Sequence, residues 1–168
     1  MISVRVATVD DAQALYDIES ASFPEAEACS LENFQKRLAV FADCFLILEK
    51  DQKPVGLIDG MITDQMTITD DLYEDAKLHN PNGAWQSVFG LAVIPSERCQ
   101  GFAALLMMEF IEKARSEGRK GLILTCKEGL IDFYEQFGYE CQGVSGSVHG
   151  GAKWYDMVLD FEKVPPVF

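Results

Sequence analysis

The sequence predicts an α/β protein: a central mixed β-sheet of about six to seven strands, flanked by helices. Three observations carry that expectation. Short apolar runs alternate with stripes at helical spacing along the whole chain. A hairpin turn comes early, at Asp51-Gln52-Lys53-Pro54, and helical crossovers come late, which mixes antiparallel with parallel pairing. The 168 residues, 48% of them hydrophobic, suffice for one domain with a sizeable core.

Ile2 to Ala7 reads as the first strand. Thr8 caps the first helix, with Asp11 as its partner in a capping box. Ala14, Leu15, Ile18, Ala21 and Ser22 keep helical spacing to about Phe23, and Pro24 ends that helix. Ser30 starts a second helix, with Leu31, Phe34, Leu38 and Phe41 on one side. Cys44 to Glu49 and Val55 to Thr63 form the hairpin. The polar stretch from Asp64 to Asn82 holds a short helix, Asp70 to His79, and ends in the turn Asn80-Pro81-Asn82-Gly83. Ala84 to Val93 is the central strand. Gly101 to Ser116 is the long helix, striped by Ala103, Met107, Phe110, Ile111 and Ala114, with Gly118 as terminator. Leu122 to Cys126 is a strand, and Leu130, Phe133, Tyr134 and Phe137 mark a helix closed by Gly138. Tyr139 to Gly143 and Lys153 to Leu159 form the last strand pair, joined by the loop Gly143 to Gly151. No repeat or linker divides residues 1–168, which read as a single domain.

Lys and Arg number 14 against 27 Asp and Glu, a net charge of −13. That excludes a nucleic-acid partner and an anionic membrane surface, both of which want a basic face. It suits a cationic substrate such as an amine; it is equally the balance of an ordinary acidic protein. Of the five cysteines, Cys44, Cys126 and Cys141 sit in apolar runs and read as small buried hydrophobes in a reducing compartment. The opening Met1-Ile2-Ser3-Val4-Arg5 lacks the pattern of a signal peptide, and no apolar run approaches the ~20 residues that span a bilayer. A cytoplasmic protein is expected. No metal-ligand spacing occurs among its acids, histidines and cysteines. Exposed sheet edges and the Pro165-Pro166 tail leave room for a homodimer.

The densest chemical signal is Val93-Ile94-Pro95-Ser96-Glu97-Arg98-Cys99-Gln100-Gly101-Phe102-Ala103-Ala104. A strand ends at a proline, a polar turn comes next, and a long helix begins. Such a turn aims several N–H groups and the positive end of a helix dipole at one spot, which suits phosphate. Gly101 admits a ligand close to the backbone, Ala103 keeps the first turn free of bulk, and Arg98 adds a cation. Lys127 is a further basic candidate. An ordinary strand-to-helix turn is the competing reading.

Arg-x-x-Gly-x-Ala after a strand and a proline resembles the GNAT superfamily of acyl-CoA-dependent N-acyltransferases. The element order from Arg5 to Leu159 resembles it too. Ile18-Glu19…Ser22-Phe23, Leu78-His79-Asn80-Pro81-Asn82-Gly83, Leu91-Ala92-Val93 and the run Cys126 to Tyr139 look most like the arylalkylamine (serotonin) N-acetyltransferase group. The resemblance implies the GNAT fold and acetyl-CoA as co-substrate. It implies acetyl transfer to a primary amine, a small arylalkylamine or polyamine, by direct attack in a ternary complex. Coenzyme A would be held by Leu91, Ala92, Val93, Arg98, Cys99, Gln100, Gly101, Phe102, Ala103 and Ala104, with the Leu91 N–H as oxyanion donor. Tyr134 resembles the family's general acid, on a helix expected beside the cofactor thiol; read from the residues alone it is a core tyrosine.

The resembled group carries two histidines on the central strand, where this chain has Ser87 and Phe89, neither a base at neutral pH. Glu27 and Glu25, in the segment that borders the acceptor site in this fold, are candidates for the base and for substrate contact, or else solvated loop charges. Asp59 interrupts an apolar strand and either faces the site or faces solvent. Phe23, Trp85 and Trp154 are candidates for an aromatic acceptor pocket or core residues. His149 is a candidate substrate contact in a glycine turn, and His79 orders its loop. Two other readings stay open: acetylation of a peptide or protein, and a non-catalytic module that binds acyl-CoA.

Overall fold

The computed structural model describes residues 1–164, so Pro165 and Pro166 lie outside them. In chain order the strands are β1 (Ile2–Val6), β2 (Phe45–Lys50), β3 (Lys53–Asp59), β4 (Ile62–Thr63), β5 (Trp85–Val88), β6 (Gly90–Val93), β7 (Gly121–Cys126), β8 (Glu140–Val144) and β9 (Tyr155–Asp160). The helices are α1 (Ala12–Ser22), α2 (Leu31–Phe41), α3 (Asp70–Glu74), α4 (Phe102–Ser116) and α5 (Ile131–Glu135). The chain forms two compact units, one of Met1–Gly60 and Gly90–Phe110, the other of Met61–Phe89 and the residues from Ile111 onward.

The first unit holds an antiparallel sheet in the order β1-β2-β3-β6. Thr8 and Asp11 make the expected capping box, and Asp11 also takes two 2.8 Å bonds from the Arg5 guanidinium. Phe23 is extended (φ −125°, ψ 152°), as a residue before proline must be, and α1 stops there. Ser30 accepts the Asn33 N–H and caps α2. The core joins Leu15 and Ile18 of α1 and Phe34, Leu38 and Phe41 of α2 to Phe45, Ile47, Leu57 and Ile58 of the sheet. Gly56 has no side chain because a Cβ there would stand 3.1 Å from Leu106 Cδ1 of α4.

The second unit holds a sheet in the order β4-β5-β7-β9-β8, in which β5 and β7 are parallel and the other pairs antiparallel. Mixed pairing and flanking helices are as expected. The number of strands differs, because two expected strands each break. Val55 to Thr63 parts at Gly60 and Met61, sending β3 into one sheet and β4 into the other. Ala84 to Val93 parts at Phe89 in the same way. Gly60 N–H turns to the Cys44 carbonyl, and Ser87 turns both its N–H (2.9 Å) and its hydroxyl (2.8 Å) to the Met61 carbonyl. Asp59-Gly60 and Phe89-Gly90 stand at the two breaks, but the apolar residues on either side read as single strands.

Other expectations shift for local reasons. The helix from Asp70 to His79 shortens to α3 plus a 3-10 turn, Ala76–Leu78, because Asp75 captures the Lys77 N–H. The buried stripe of α1 is Ala12, Leu15, Ile18 and Glu19, and Ala21 is exposed. Only Tyr134 of the Leu130 to Phe137 stripe is buried. All five thiols are free, and Cys44 and Cys126 are buried as expected. Cys141 is exposed instead, because β8 is an edge strand with a largely exposed pattern.

Gly121 marks the tightest point of the second sheet. A Cβ there would lie 1.9 Å from the Leu159 carbonyl oxygen and 2.7 Å from the Trp85 ring. Backbone cannot yield as a side-chain tip can. Gly121→Ala is therefore expected to destabilise the fold by about 3 kcal/mol or more, read as a lowered denaturation midpoint.

Candidate active site

The turn between β6 and α4 is built as an anion cradle. Cys99 (φ 64°) and Gly101 (φ 80°) both take left-handed backbone. Alternating left-handed residues turn successive amides toward the same side, the geometry of an anion nest. Cys99 holds it at a cost of about 1–3 kcal/mol, whereas Gly101 holds it without a Cβ penalty. No heavy atom lies within 4 Å of where a Gly101 Cβ would stand, so backbone conformation, not packing, calls for glycine. The Leu105 N–H donates to the Gly101 carbonyl at 3.0 Å. The amides of Phe102, Ala103 and Ala104 precede that bond, in the turn whose N–H groups have no acceptor in their own helix. Fifteen residues of aligned dipole stand behind them.

Side chains complete the cradle. Arg98 Nε donates to the Val93 carbonyl at 3.0 Å, which tethers the cation beside the turn. Glu97, the acid nearest in sequence, is engaged by Lys50 at 2.9 Å and by Gln100 at 3.1 Å. The groups present fit a diphosphate: amides, a helix N-terminus and one guanidinium, with the neighbouring carboxylate already paired. Leu91, Ala92 and Val93 belong to β6, which among the described residues pairs with β3 alone and is the edge of its sheet. Alternate N–H groups along it therefore face away from β3.

A second feature of the first unit escaped the sequence. Asp59 does not face solvent; it is fully buried, with Oδ2 3.2 Å from Arg37 Nη1. Glu19 is also buried, and its Oε2 accepts the Cys29 N–H. Glu19 Oε1 and Asp59 Oδ1 converge on one point, 2.7 and 3.2 Å from where a Gly90 Cβ would stand. Burial first, then the Asp59 charge, pushes the Glu19 carboxyl up to about 7. Burial also raises Asp59, against the pull of Arg37, and raises the neighbouring Cys29 thiol to about 12. Glu19 stands four residues after Leu15 on the buried side of α1, and that spacing, with its place in the Ile18-Glu19…Ser22-Phe23 motif, was the available signal.

The remaining first-unit candidates are scattered on the surface. Phe23 is half-buried and Glu25 exposed; with Tyr16 and Cys29 they line a cleft of about 530 Å³. Glu27 is half-buried in a turn whose N–H groups, its own and that of Ala28, bond the Pro24 carbonyl.

In the second unit Tyr134 of α5 is 8% exposed and sits edge-on between Phe133 (5.1 Å) and Tyr139 (5.7 Å). Burial, with Cys126 and Tyr73 adding to it, raises its hydroxyl above the ordinary phenol range, so it keeps its proton at neutral pH. A run of half-buried rings lies in the same unit. Phe89 meets Tyr73 at 4.9 Å, Tyr73 stacks on His149 at 5.0 Å, and His149 meets Trp154 at 6.0 Å. Tyr73 also shares a 2.7 Å hydrogen bond with Thr125. Asp70 anchors the His149 loop by accepting from Ser147 Oγ and the Val148 N–H. Lys127 stands 5.8 Å from the Trp154 ring centre. Trp85 is buried in the core instead. His79 accepts the Ile62 N–H at 3.0 Å and orders its loop as expected. Among the described residues no cluster of His, Cys, Asp and Glu is placed to hold a metal ion, and no helix is long and apolar enough to cross a membrane.

The raised carboxyl pair sets the sign of a stability effect. Glu19 binds its proton more tightly folded than at its ordinary value of 4.5. Folding therefore gains from protonation, and stability is lost as pH rises from that value through about 7. Urea denaturation should show stability falling over that window, by about 3 kcal/mol for Glu19, with Asp59 acting in the same sense. Glu19→Gln should flatten the slope.

A family description, Acetyltransferase (GNAT) family, matches residues 12–139. Serotonin N-acetyltransferase of Mesocricetus auratus is 26% identical over 143 residues, 83% of this chain and 68% of that protein. The fold is shared with the loading GNATL domain of CurA from Lyngbya majuscula, at a TM-score of 0.83 and 16% identity over 97% of this chain and 99% of that one. It is shared too with the GphF GNAT-like decarboxylase in complex with isobutyryl-CoA, at 0.82 and 19% over 94% and 98%. With the family match spanning most of the sequence, this chain belongs to the GNAT acetyltransferase family.

Proposed function

We propose that the protein transfers the acetyl group of acetyl-CoA to a small primary arylalkylamine, by direct attack in a ternary complex. The observation that carries the donor half is the cradle, in which two left-handed residues and the start of α4 aim amides at one spot. Cys99 to Ala104 and Arg98 take the diphosphate, and the open edge of β6 suits the amide-bearing arm of the coenzyme. The acceptor half is supported by the half-buried rings of Phe89, Tyr73, His149 and Trp154, and by the likeness to serotonin N-acetyltransferase. Rings favour an aryl acceptor over a polyamine. The five free thiols suit a reducing compartment, and we place the enzyme in the cytoplasm.

The chemistry sets what each group must do. An alkylammonium has a pKa of about 10.4, so only about one molecule in a thousand is nucleophilic at neutral pH. Once the free amine attacks the thioester carbonyl, the C–N bond forms and charge collects on oxygen. An outward-facing β6 amide, which we assign to Leu91, stabilises that charge. The C–S bond then breaks and the thiolate takes a proton, which we assign to Tyr134. Its burial keeps that proton in place until it is needed. Ser87 has no part in proton transfer, since its hydroxyl is spent on the Met61 carbonyl.

Release of free thiol from acetyl-CoA, followed with tryptamine, phenethylamine, polyamines and short peptides, tests the reading. Turnover is expected to favour the arylalkylamines. Binding of coenzyme A with no thiol release for any of them would replace the enzyme with an acyl-CoA-binding module. Tyr134→Phe should lower kcat by about 10²-fold or more while leaving coenzyme A affinity unchanged. Arg98→Ala should instead weaken coenzyme A binding by about tenfold, the loss of one charge-assisted contact.

A further inference from the structure

We infer that Glu19, held against Asp59 over the bare backbone of Gly90, is the group that takes the proton from the amine; this rests on the acetyl-transfer reading above. Two carboxylates and one guanidinium are buried together, leaving one negative charge to be neutralised by a proton or a cation. Asp59 Oδ1 is buried without a hydrogen-bond partner among the described residues. It is aimed at the same point as Glu19 Oε1. Any side chain at residue 90 would close that point, since its Cβ would stand 2.7 Å from Glu19 Oε1.

The groups facing the pair come from every element packed on it. Arg37 of α2 holds Asp59, and the Cys29 amide of the loop before α2 holds Glu19 Oε2. The Cys29 thiol stays neutral, and β6 brings the bare backbone of Gly90 against the pair. Asp59, fully enclosed and committed to Arg37, is the positioning residue. Glu19 retains 4% exposure and is the member that can exchange a proton with a ligand, directly or through one water. The pair stands one residue before Leu91, the oxyanion donor assigned above. It supplies what Ser87 and Phe89 lack, and it takes the role for which Glu27 was the candidate from sequence. Burial lifts the Glu19 carboxyl toward neutral pH, where a general base is best matched.

The proton balance closes. The ammonium gives one proton to the Glu19 carboxylate, and the free amine attacks. As the C–S bond breaks, Tyr134 protonates the sulfur and regains a proton from the new amide nitrogen. Glu19 then returns its proton to solvent, so each turnover releases one.

The test is the pH dependence of kcat/KM for the accepted amine in wild type and Glu19→Gln. It is run beside a β,β-difluorinated analogue whose amine is largely unprotonated at neutral pH. Wild type should show an acid limb centred at about 7. The variant should lose that limb and about 10²-fold of kcat/KM with the ordinary amine, and recover most of the loss with the fluorinated one. An equal loss for both amines, or a limb retained in the variant, overturns the assignment and leaves the carboxyls structural. An infrared titration reads the proton without turnover: a carboxylic acid band present at about pH 5 and lost by about pH 8, absent in Glu19→Gln. A wild-type chain with no such band overturns the inference whatever its activity, and decides the matter even where the variant fails to fold. A wild-type chain with the band but no turnover of any amine overturns the acetylation reading, and the base role falls with it.

Discussion

Among the described residues β6 pairs with β3 and with no other strand, and the chemistry proposed for the first unit depends on that. A strand with one partner leaves half its N–H and C=O groups facing outward, an edge that proteins ordinarily blunt. Here the edge runs from Gly90, which carries no side chain, to Val93, whose carbonyl tethers Arg98 at 3.0 Å. The strand then delivers the chain into the left-handed turn of Cys99 and Gly101. The unpaired edge, the bare glycine and the amide cradle are thus consecutive features of one stretch, and pairing β6 on its second side would remove the first of them.

The electrostatics of the molecule run in opposite directions at two places. In a chain of net charge −13, the turn proposed to take the diphosphate relies on concentrated backbone dipoles, which carry no formal charge and need no counter-ion. Glu97, the one acid in that turn, is neutralised by Lys50 at 2.9 Å. Beneath β6 the reverse holds. Glu19 and Asp59 share one guanidinium, and the uncompensated charge of a buried carboxylate costs several kcal/mol. Retaining a proton costs less than retaining that charge, so burial converts a structural expense into a titrating group near neutral pH.

Legibility in the sequence tracked the range of the interaction. Features fixed within four residues were readable: the Thr8 and Asp11 box, the Ser30 cap, the stop at Pro24, the glycine terminators and the Arg98 to Ala104 turn. Features set by distant pairing were not. Both strand breaks, at Asp59-Gly60 and at Phe89-Gly90, were read through as single strands, and hydrogen bonds to Cys44 and Met61 turn the backbone there. Cys141 looks buried because its neighbours in sequence are apolar, and is exposed because β8 is an edge. Glu19 was hidden by its type. A carboxylate on the apolar side of a helix reads as polar surface, and small alanines such as Ala21 pulled the expected stripe around α1 away from it. Asp59 drew notice only as a break in an apolar strand, and its pairing with Arg37, 22 residues earlier, has no sequence signal. The ring run of Tyr73, Phe89, His149 and Trp154 is assembled from four separate segments; Trp154 and His149 were candidates from sequence, but Tyr73 and the stacking that joins them were not visible.

Amide spectroscopy of the full chain titrated with coenzyme A addresses the cradle most directly, because it reads each backbone N–H in turn. The N–H resonances of Gly101 to Ala104 should shift together and saturably, with amides of β6 moving after them, and the shifts should be lost when the competitor lacks the diphosphate. Saturable binding of coenzyme A with those resonances unmoved would contradict the account.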